Sequence, residues 1–256
     1  MNNKINPDIF YNERFPRSNK YDPAWILENK MGLNPLWLTE FLVQSLDLKP
    51  GMRVLDLACG KGMTSIFLAR EYGVQVYAVD FDQWGSSAEI RWGNAKEHEV
   101  EHLITPIQAD AKNLPFAPEF FDAIVCVNSY TYFGQDETYL EYILKFLRPD
   151  GRLAVINNGY VKEITDGIPE HILEYLGDDI WSWRTLSWWK QLWEKDGLMS
   201  IDVADTLPNG CALELSFAKL ELEYGDSPWG DETHIFEADL ENGEYMGYSR
   251  LIATKK

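Results

Sequence analysis

The chain predicts an α/β fold built on a doubly wound, mostly parallel sheet. Short apolar runs alternate with helical stretches from Arg53 to Asn157, a glycine-rich turn follows the first run at Gly60 and Gly62, and acidic residues stand where successive runs end, at Asp80 and Asp110.

The first clear helix opens at Asn34-Pro35, a capping residue followed by proline at the first helical position. Its apolar face is Leu36, Trp37, Phe41, Leu42 and Leu46, and it ends before the turn Lys49-Pro50-Gly51. Arg53 to Leu57 reads as a buried strand, and Ser65 to Tyr72 as a helix stopped by Gly73. Val74 to Val79 is the next strand, and a weaker helix interrupted by Gly93 spans Ser86 to Glu99. Leu103 to Gln108 and Ala123 to Val127 are further strands. Asp136 caps a helix whose face is Tyr139, Leu140, Ile143, Leu144 and Leu147, and Pro149-Asp150-Gly151 turns the chain into the strand Arg152 to Asn157. Beyond it, Pro169 to Leu176 and Ser187 to Asp196 carry helical signals, Cys211 to Tyr224 reads as helix, and Ser200 to Asp205 and Tyr248 to Thr254 read as closing strands.

A length of 256 residues fits one elaborated domain, 1–256, with residues 1–33 as an N-terminal extension and 158–198 as a helical insert after the fifth strand. The formal net charge of -18, from 41 acidic and 23 basic side chains, repels phosphate backbones and argues against nucleic acid as substrate. Cys59, Cys126 and Cys211 are widely spaced and odd in number, which suits neither a disulfide framework nor a zinc site, so no metal is expected and a reducing cytoplasm fits. The polar N-terminus lacks an apolar signal region, and no apolar run reaches the ~18 residues of a membrane span.

The stretch Val54 to Ser65, VLDLACGKGMTS, carries the most chemistry. In an open parallel sheet, ligands bind beyond the carboxyl ends of the strands, where a glycine turn lets backbone amides approach them. Ser65 stands where a dinucleotide fingerprint needs its third glycine, and no Lys-Ser or Lys-Thr pair follows Gly62 as a phosphate loop would require. Asp56 would repel a diphosphate and attract an ammonium. These features favour a cofactor that carries an amino group.

The run resembles the class I S-adenosylmethionine-dependent methyltransferases, in particular their type 11 small-molecule group. Asp56-x-Ala58-Cys59-Gly60-x-Gly62 is similar to that family's first motif, Val76 to Asp82 (VYAVDFD) to its second, and Ala109-Asp110 with NLPF and FDAIVCVNSYTYF to its third and fourth. The resemblance covers about Leu36 to Asn157. It implies a Rossmann-like fold with a seven-stranded sheet and an antiparallel last strand. It also implies S-adenosylmethionine as cofactor, with Asp56 and the glycine turn at its methionine end, Asp80 on the ribose hydroxyls, Phe81 beside the adenine and Asp110 near the adenine amino group. Ala58, Thr64 and Ala111 join the implied cofactor set. Tyr21 to Leu38 resembles the family's lid, which would bring Met31, Gly32 and Trp37 near the site.

A sulfonium is already a good leaving group, so the protein's main task is to align a nucleophile with the methyl carbon and exclude water. Residues just past the fourth strand face that position, which nominates Asn128 to orient cofactor or substrate and Tyr130 and Tyr132 to hydrogen-bond the nucleophile. Many relatives place a histidine here where this chain has Thr131, so the general base is unassigned. Of the histidines, His171 is the best placed to act. The insert holds Trp181, Trp183, Trp188, Trp189 and Trp193, which read either as an amphipathic helix packed on the domain or as an aromatic wall for an apolar or cationic small molecule. Methyl transfer to a small-molecule acceptor is the expected function. The alternatives are a cofactor-binding protein without transfer activity, or a nucleotide-linked oxidoreductase on the same fold.

Overall fold

The computed structural model describes residues 5–6, 8–83, 85–225 and 230–256, so residues 1–4 and 7 of the expected N-terminal extension lie outside the described residues. The elements are α1 (Pro23–Asn29), α2 (Pro35–Val43), β1 (Arg53–Leu57), α3 (Met63–Tyr72), β2 (Gln75–Asp80), α4 (Ala88–Glu97), β3 (Ile104–Gln108) and β4 (Phe121–Val127). There follow α5 (Glu137–Leu144), β5 (Leu147–Tyr160), α6 (Glu170–Leu176), α7 (Leu186–Glu194), β6 (Met199–Thr206), α8 (Gly210–Tyr224), α9 (Thr233–Asn242) and β7 (Met246–Lys255). They form a seven-stranded sheet of order β3-β2-β1-β4-β5-β7-β6. β1 to β5 pair in parallel, and β7 lies antiparallel between β5 and β6. The expected Rossmann-like sheet with an antiparallel last strand is the one observed.

Alternate residues of each central strand face opposite layers. Val54, Val76, Ala123, Val125, Ala154 and Ile156 pack with α2, α3 and the N-terminal aromatics, whereas Leu55, Ile124, Cys126, Leu153 and Val155 pack with α5 and α7. Side chains buried on both faces explain why these strands read as continuous apolar runs.

Three departures from the sequence reading bear on the site. The expected turn at Pro149-Asp150-Gly151 is a bulge inside β5: the register runs from Phe121↔Leu147 to Ala123↔Arg152, and Asp150 absorbs the extra length at φ +62°. β5 then continues to Tyr160, so the helical insert starts at residue 161. Finally, α1 and α9 have no counterpart in the sequence reading, and α9 packs on α6 and α8 to form an apolar cluster beside the sheet. Among the described residues no helix is long and apolar enough to cross a membrane.

Candidate functional site

The turn after β1 is built from left-handed residues: Ala58 at φ +57°, Gly60 at +54° and Gly62 at +87°. Gly62 caps α3 without a side-chain acceptor, so the helix presents first-turn N–H groups free of any capping side chain, a favourable place for a carboxylate. The Gly60 N–H donates to Asp80 Oδ2 at 2.9 Å, which joins the ends of β1 and β2. A Cβ on Gly60 would stand 2.8 Å from Met31 Sδ, so the lid residue lies directly over the turn. Lys61 Nζ donates to the Glu28 carbonyl at 2.8 Å, and Asn94 Nδ2 donates to Asn29 Oδ1 at 2.8 Å and to the Lys61 carbonyl at 2.9 Å. The lid is thereby docked on the turn and on α4.

Arg91 is one residue that sequence reasoning missed. Its guanidinium is fully buried, pairs with Asp82 at 2.7 Å and donates to the carbonyls of Gly60 at 3.2 Å and Ile107 at 3.3 Å. Its aliphatic stem packs on Gly62, where an added Cβ would meet Arg91 Cγ at 3.3 Å. The signal was weak because Arg91 sits in a helix that Gly93 makes unpersuasive in sequence.

Asp56 is 1% exposed, and burial pushes its carboxyl up to about 7, while the bond from Ser65 pulls it down and neighbouring Asp80 pushes it up. Its Oδ2 accepts from Ser65 Oγ at 2.5 Å, and its Oδ1 has no hydrogen-bond partner among the described residues. An orphaned buried carboxylate oxygen wants a cationic donor, which the methionine ammonium of S-adenosylmethionine would supply. Asp80 Oδ1 accepts from Asp82 N at 3.0 Å and Ser86 Oγ at 2.8 Å, which fixes the carboxylate at the sheet edge with lone pairs to spare. Phe81, 53% exposed beside it, offers an uncovered aromatic face. Asp110 is exposed at the end of β3 and accepts from Lys112 N at 2.8 Å, and the Ala111 carbonyl accepts from Tyr139 OH at 3.0 Å. These groups fit the cofactor: an acceptor for its ammonium, a helix N-terminus for its carboxylate, a carboxylate for its diol and a flat surface for its base.

Other expected residues fall elsewhere. Trp37 is buried in the core, stacked on Phe15 and edge-on to Phe10 and Phe217, so its surface is taken up by packing. Thr64 turns its hydroxyl to Thr39 of α2, 3.4 Å away. Tyr130 is 0% exposed, enclosed by Phe133, Tyr139, Trp189 and Trp193, and its hydroxyl has no partner among the described residues, so it cannot reach a substrate. Tyr132, two residues on in the same short helical turn, is 50% exposed. Asn128 holds φ +56°, donates its N–H to the Ile156 carbonyl at 2.7 Å and accepts from Asn158 N at 3.1 Å, while its Nδ2 lies 3.4 Å from where a Cβ on Gly32 would stand. His171 Nε2 donates to buried Asp239 Oδ1 at 3.1 Å, and Asp239 also accepts from Tyr245 N and Met246 N, a structural knot joining α6, α9 and β7.

Beside Asn128 and Gly32 opens a cavity of about 210 Å³. Tyr132, Tyr175, Trp183 and Phe236 supply aromatic walls, and Asp179, Glu214, Glu221 and Glu232 supply carboxylates. Lys30 also lines it but is paired with Glu221. The tryptophans divide by position: Trp189 and Trp193 are core, Trp183 lines the cavity, and Trp181 is exposed edge-on to Tyr132.

Residues 54–151 match the family described as a methyltransferase domain. Methyltransferase GfsG of Streptomyces halstedii is 26% identical over 76% of this chain and 73% of its own length. The ubiquinone/menaquinone biosynthesis C-methyltransferase UbiE of Vibrio parahaemolyticus is 27% identical, with 62% of each chain covered. Demethylmenaquinone methyltransferase of Paenarthrobacter aurescens is 34% identical over 49% of this chain, which spans only 46% of that protein. Among solved structures, geranyl diphosphate C-methyltransferase from Streptomyces coelicolor A3(2), complexed with S-adenosyl-L-homocysteine, superposes with TM-score 0.69 at 16% identity, over 85% of this chain and 78% of that one. Phosphoethanolamine N-methyltransferase 2 of Haemonchus contortus, in complex with S-adenosyl-L-methionine, gives TM-score 0.73 at 17% identity, over 97% of this chain and 59% of that one. Residues 54–151 thus carry a methyltransferase domain, and these likenesses support a class I S-adenosylmethionine-dependent small-molecule methyltransferase.

Proposed function

We propose that the protein transfers a methyl group to a small molecule bound in the cavity beside Asn128, and that the acceptor carries a cationic group. The observation that carries this reading is the cavity itself, which adjoins the lid at Gly32 and the end of β5 at Asn158 and combines aromatic walls with an excess of carboxylates. When bound, the cofactor supplies a sulfonium methyl as electrophile. Asp56, Asp80, Asp110 and the uncapped start of α3 hold it, Met31 covers the glycine turn, and Asn128 braces the strand ends between cofactor and cavity. Tyr132 and Trp183 position the acceptor, and the docked lid helps exclude water. The net charge of -18 supports a small molecule over nucleic acid, and unpaired Cys59, Cys126 and Cys211 support a cytoplasmic setting. Transfer of label from methyl-labelled S-adenosylmethionine into a low-molecular-weight metabolite fraction tests the reading. Trp183→Ala should reduce that transfer while leaving S-adenosylhomocysteine affinity intact. Label entering RNA or DNA, and no small molecule, would refute it.

A further inference from the structure

The far wall of the cavity is closed by α8 and α9, and the groups there are chemically specific. Glu214 of α8 lies in this wall and accepts a hydrogen bond from Tyr248 OH, which orients the carboxylate. Tyr248 pairs across the sheet with Asn158, and the Asn158 N–H donates to Asn128 Oδ1, so Glu214 connects through two strands to the residue next to the cofactor turn. Asn158 also lines the cavity, and its Oδ1 is buried without a partner among the described residues. Among the described residues the only cation in the lining is Lys30, and Glu221 already neutralises it. A carboxylate, an orphaned amide oxygen and aromatic faces together match the N–H donors and charge of an ammonium.

We propose that the acceptor is an amine that enters as its ammonium, is held by Glu214 and Asn158 Oδ1, and gives its proton to Glu214 before methylation; this rests on the methyl-transfer reading above. The N–H bond breaks, its electrons remain on nitrogen as the lone pair, and the proton goes to a Glu214 carboxylate oxygen. Nitrogen then bonds the methyl carbon while the carbon–sulfur pair returns to sulfur. The products are the methylated ammonium, S-adenosylhomocysteine and a proton that Glu214 passes to solvent. Burial raises the Glu214 carboxyl to about 7, with Glu232 pushing it up and Tyr248 and Lys30 pulling it down, which places it where a proton acceptor works near neutral pH. Among the described residues, Tyr132, Tyr175, Tyr248, Cys211, Asp179, Glu221, Glu232 and Lys30 are the other ionisable groups around this carboxylate.

The test uses protein saturated with S-adenosylhomocysteine and the amines phenethylamine, tyramine and tryptamine, each against the alcohol of the same skeleton. Calorimetry at pH 8 should show at least one amine bound about tenfold or more tighter than its alcohol, the scale of a charge-assisted hydrogen bond. Glu214→Gln should abolish that preference with S-adenosylhomocysteine affinity retained and the melting temperature not lowered, and the wild-type preference should fade as pH falls through about 7. With S-adenosylmethionine in place of the homocysteine, the preferred amine should be methylated, and Glu214→Gln should slow turnover by about a hundredfold or more. Tyr248→Phe, which keeps the carboxylate but frees it, should retain most of the amine preference. No amine bound better than its alcohol, an unchanged preference in Glu214→Gln, or a bound amine that is not methylated each overturns the proposal. Wild-type protein that fails to bind S-adenosylhomocysteine overturns the cofactor reading itself, and the proposal falls with it.

Discussion

Replacing Asp56 with asparagine should stabilise the protein at pH 8 while weakening its hold on cofactor. The Asp56 carboxyl is almost completely buried and is raised from 3.8 to about 7, a difference of roughly 3 units. At about 1.36 kcal/mol per unit, ionised Asp56 costs the fold on the order of 4 kcal/mol above pH 7. The sign follows from the raised value. This group's contribution is fully present below the unfolded value near 4, is lost as pH rises through about 7, and is constant above that. Asparagine removes the term, and its amide oxygen still accepts from Ser65, but its N–H₂ lacks a partner at the former Oδ1, which costs about 1–3 kcal/mol. The net gain is about 1–3 kcal/mol, a melting temperature higher by roughly 2–10 °C at pH 8 for a chain of this size. Differential scanning calorimetry from pH 8 to pH 4 should show the advantage shrinking with acidity, and isothermal titration at pH 8 should show S-adenosylhomocysteine bound about tenfold or more weakly. A variant that is no more stable at pH 8 and binds cofactor as the wild type does would refute the reasoning.

Asp80→Ala should weaken S-adenosylhomocysteine binding by about 1.5–3 kcal/mol without unfolding the protein, as read by titration and circular dichroism. Arg91→Met leaves Asp82 buried without its partner and releases the Gly60 carbonyl, so urea denaturation should show a loss of about 3–5 kcal/mol, with cofactor affinity reduced as well. Trp189→Ala, in the core beside Tyr130, should cost about 3–5 kcal/mol in the same assay while the folded fraction keeps its cofactor affinity.

The cofactor turn was legible in the sequence because its chemistry is local: Asp56, Gly60 and Gly62 lie within one strand-to-helix connection, and Asp80 follows at the next strand end. The mostly parallel, doubly wound sheet followed from the same alternation, while the antiparallel last strand followed from the family resemblance. What the sequence concealed depends on contacts between distant segments. Glu214 and Glu232 look like solvated helix charges until α8 and α9 fold back over the end of β5 and enclose them. Tyr130 and Tyr132 are indistinguishable in sequence, yet a single short helical turn sends one into the core and leaves the other exposed. Trp37 carried both a lid reading and a core reading, and only its packing on Phe15 decides for the core. The bulge at Asp150 resembles a turn in sequence because the backbone there uses the same left-handed residue a turn would use.

The central claim, that the Asp56 to Gly62 turn and Asp80 form a cradle for an ammonium-bearing sulfonium cofactor, is tested most directly by calorimetric titration of the purified protein with S-adenosylmethionine and, separately, with NAD. The account predicts saturable one-to-one binding of S-adenosylmethionine that tightens as pH rises towards about 7, where Asp56 ionises, and no measurable heat with NAD. Saturable binding of NAD with no heat from S-adenosylmethionine would contradict it.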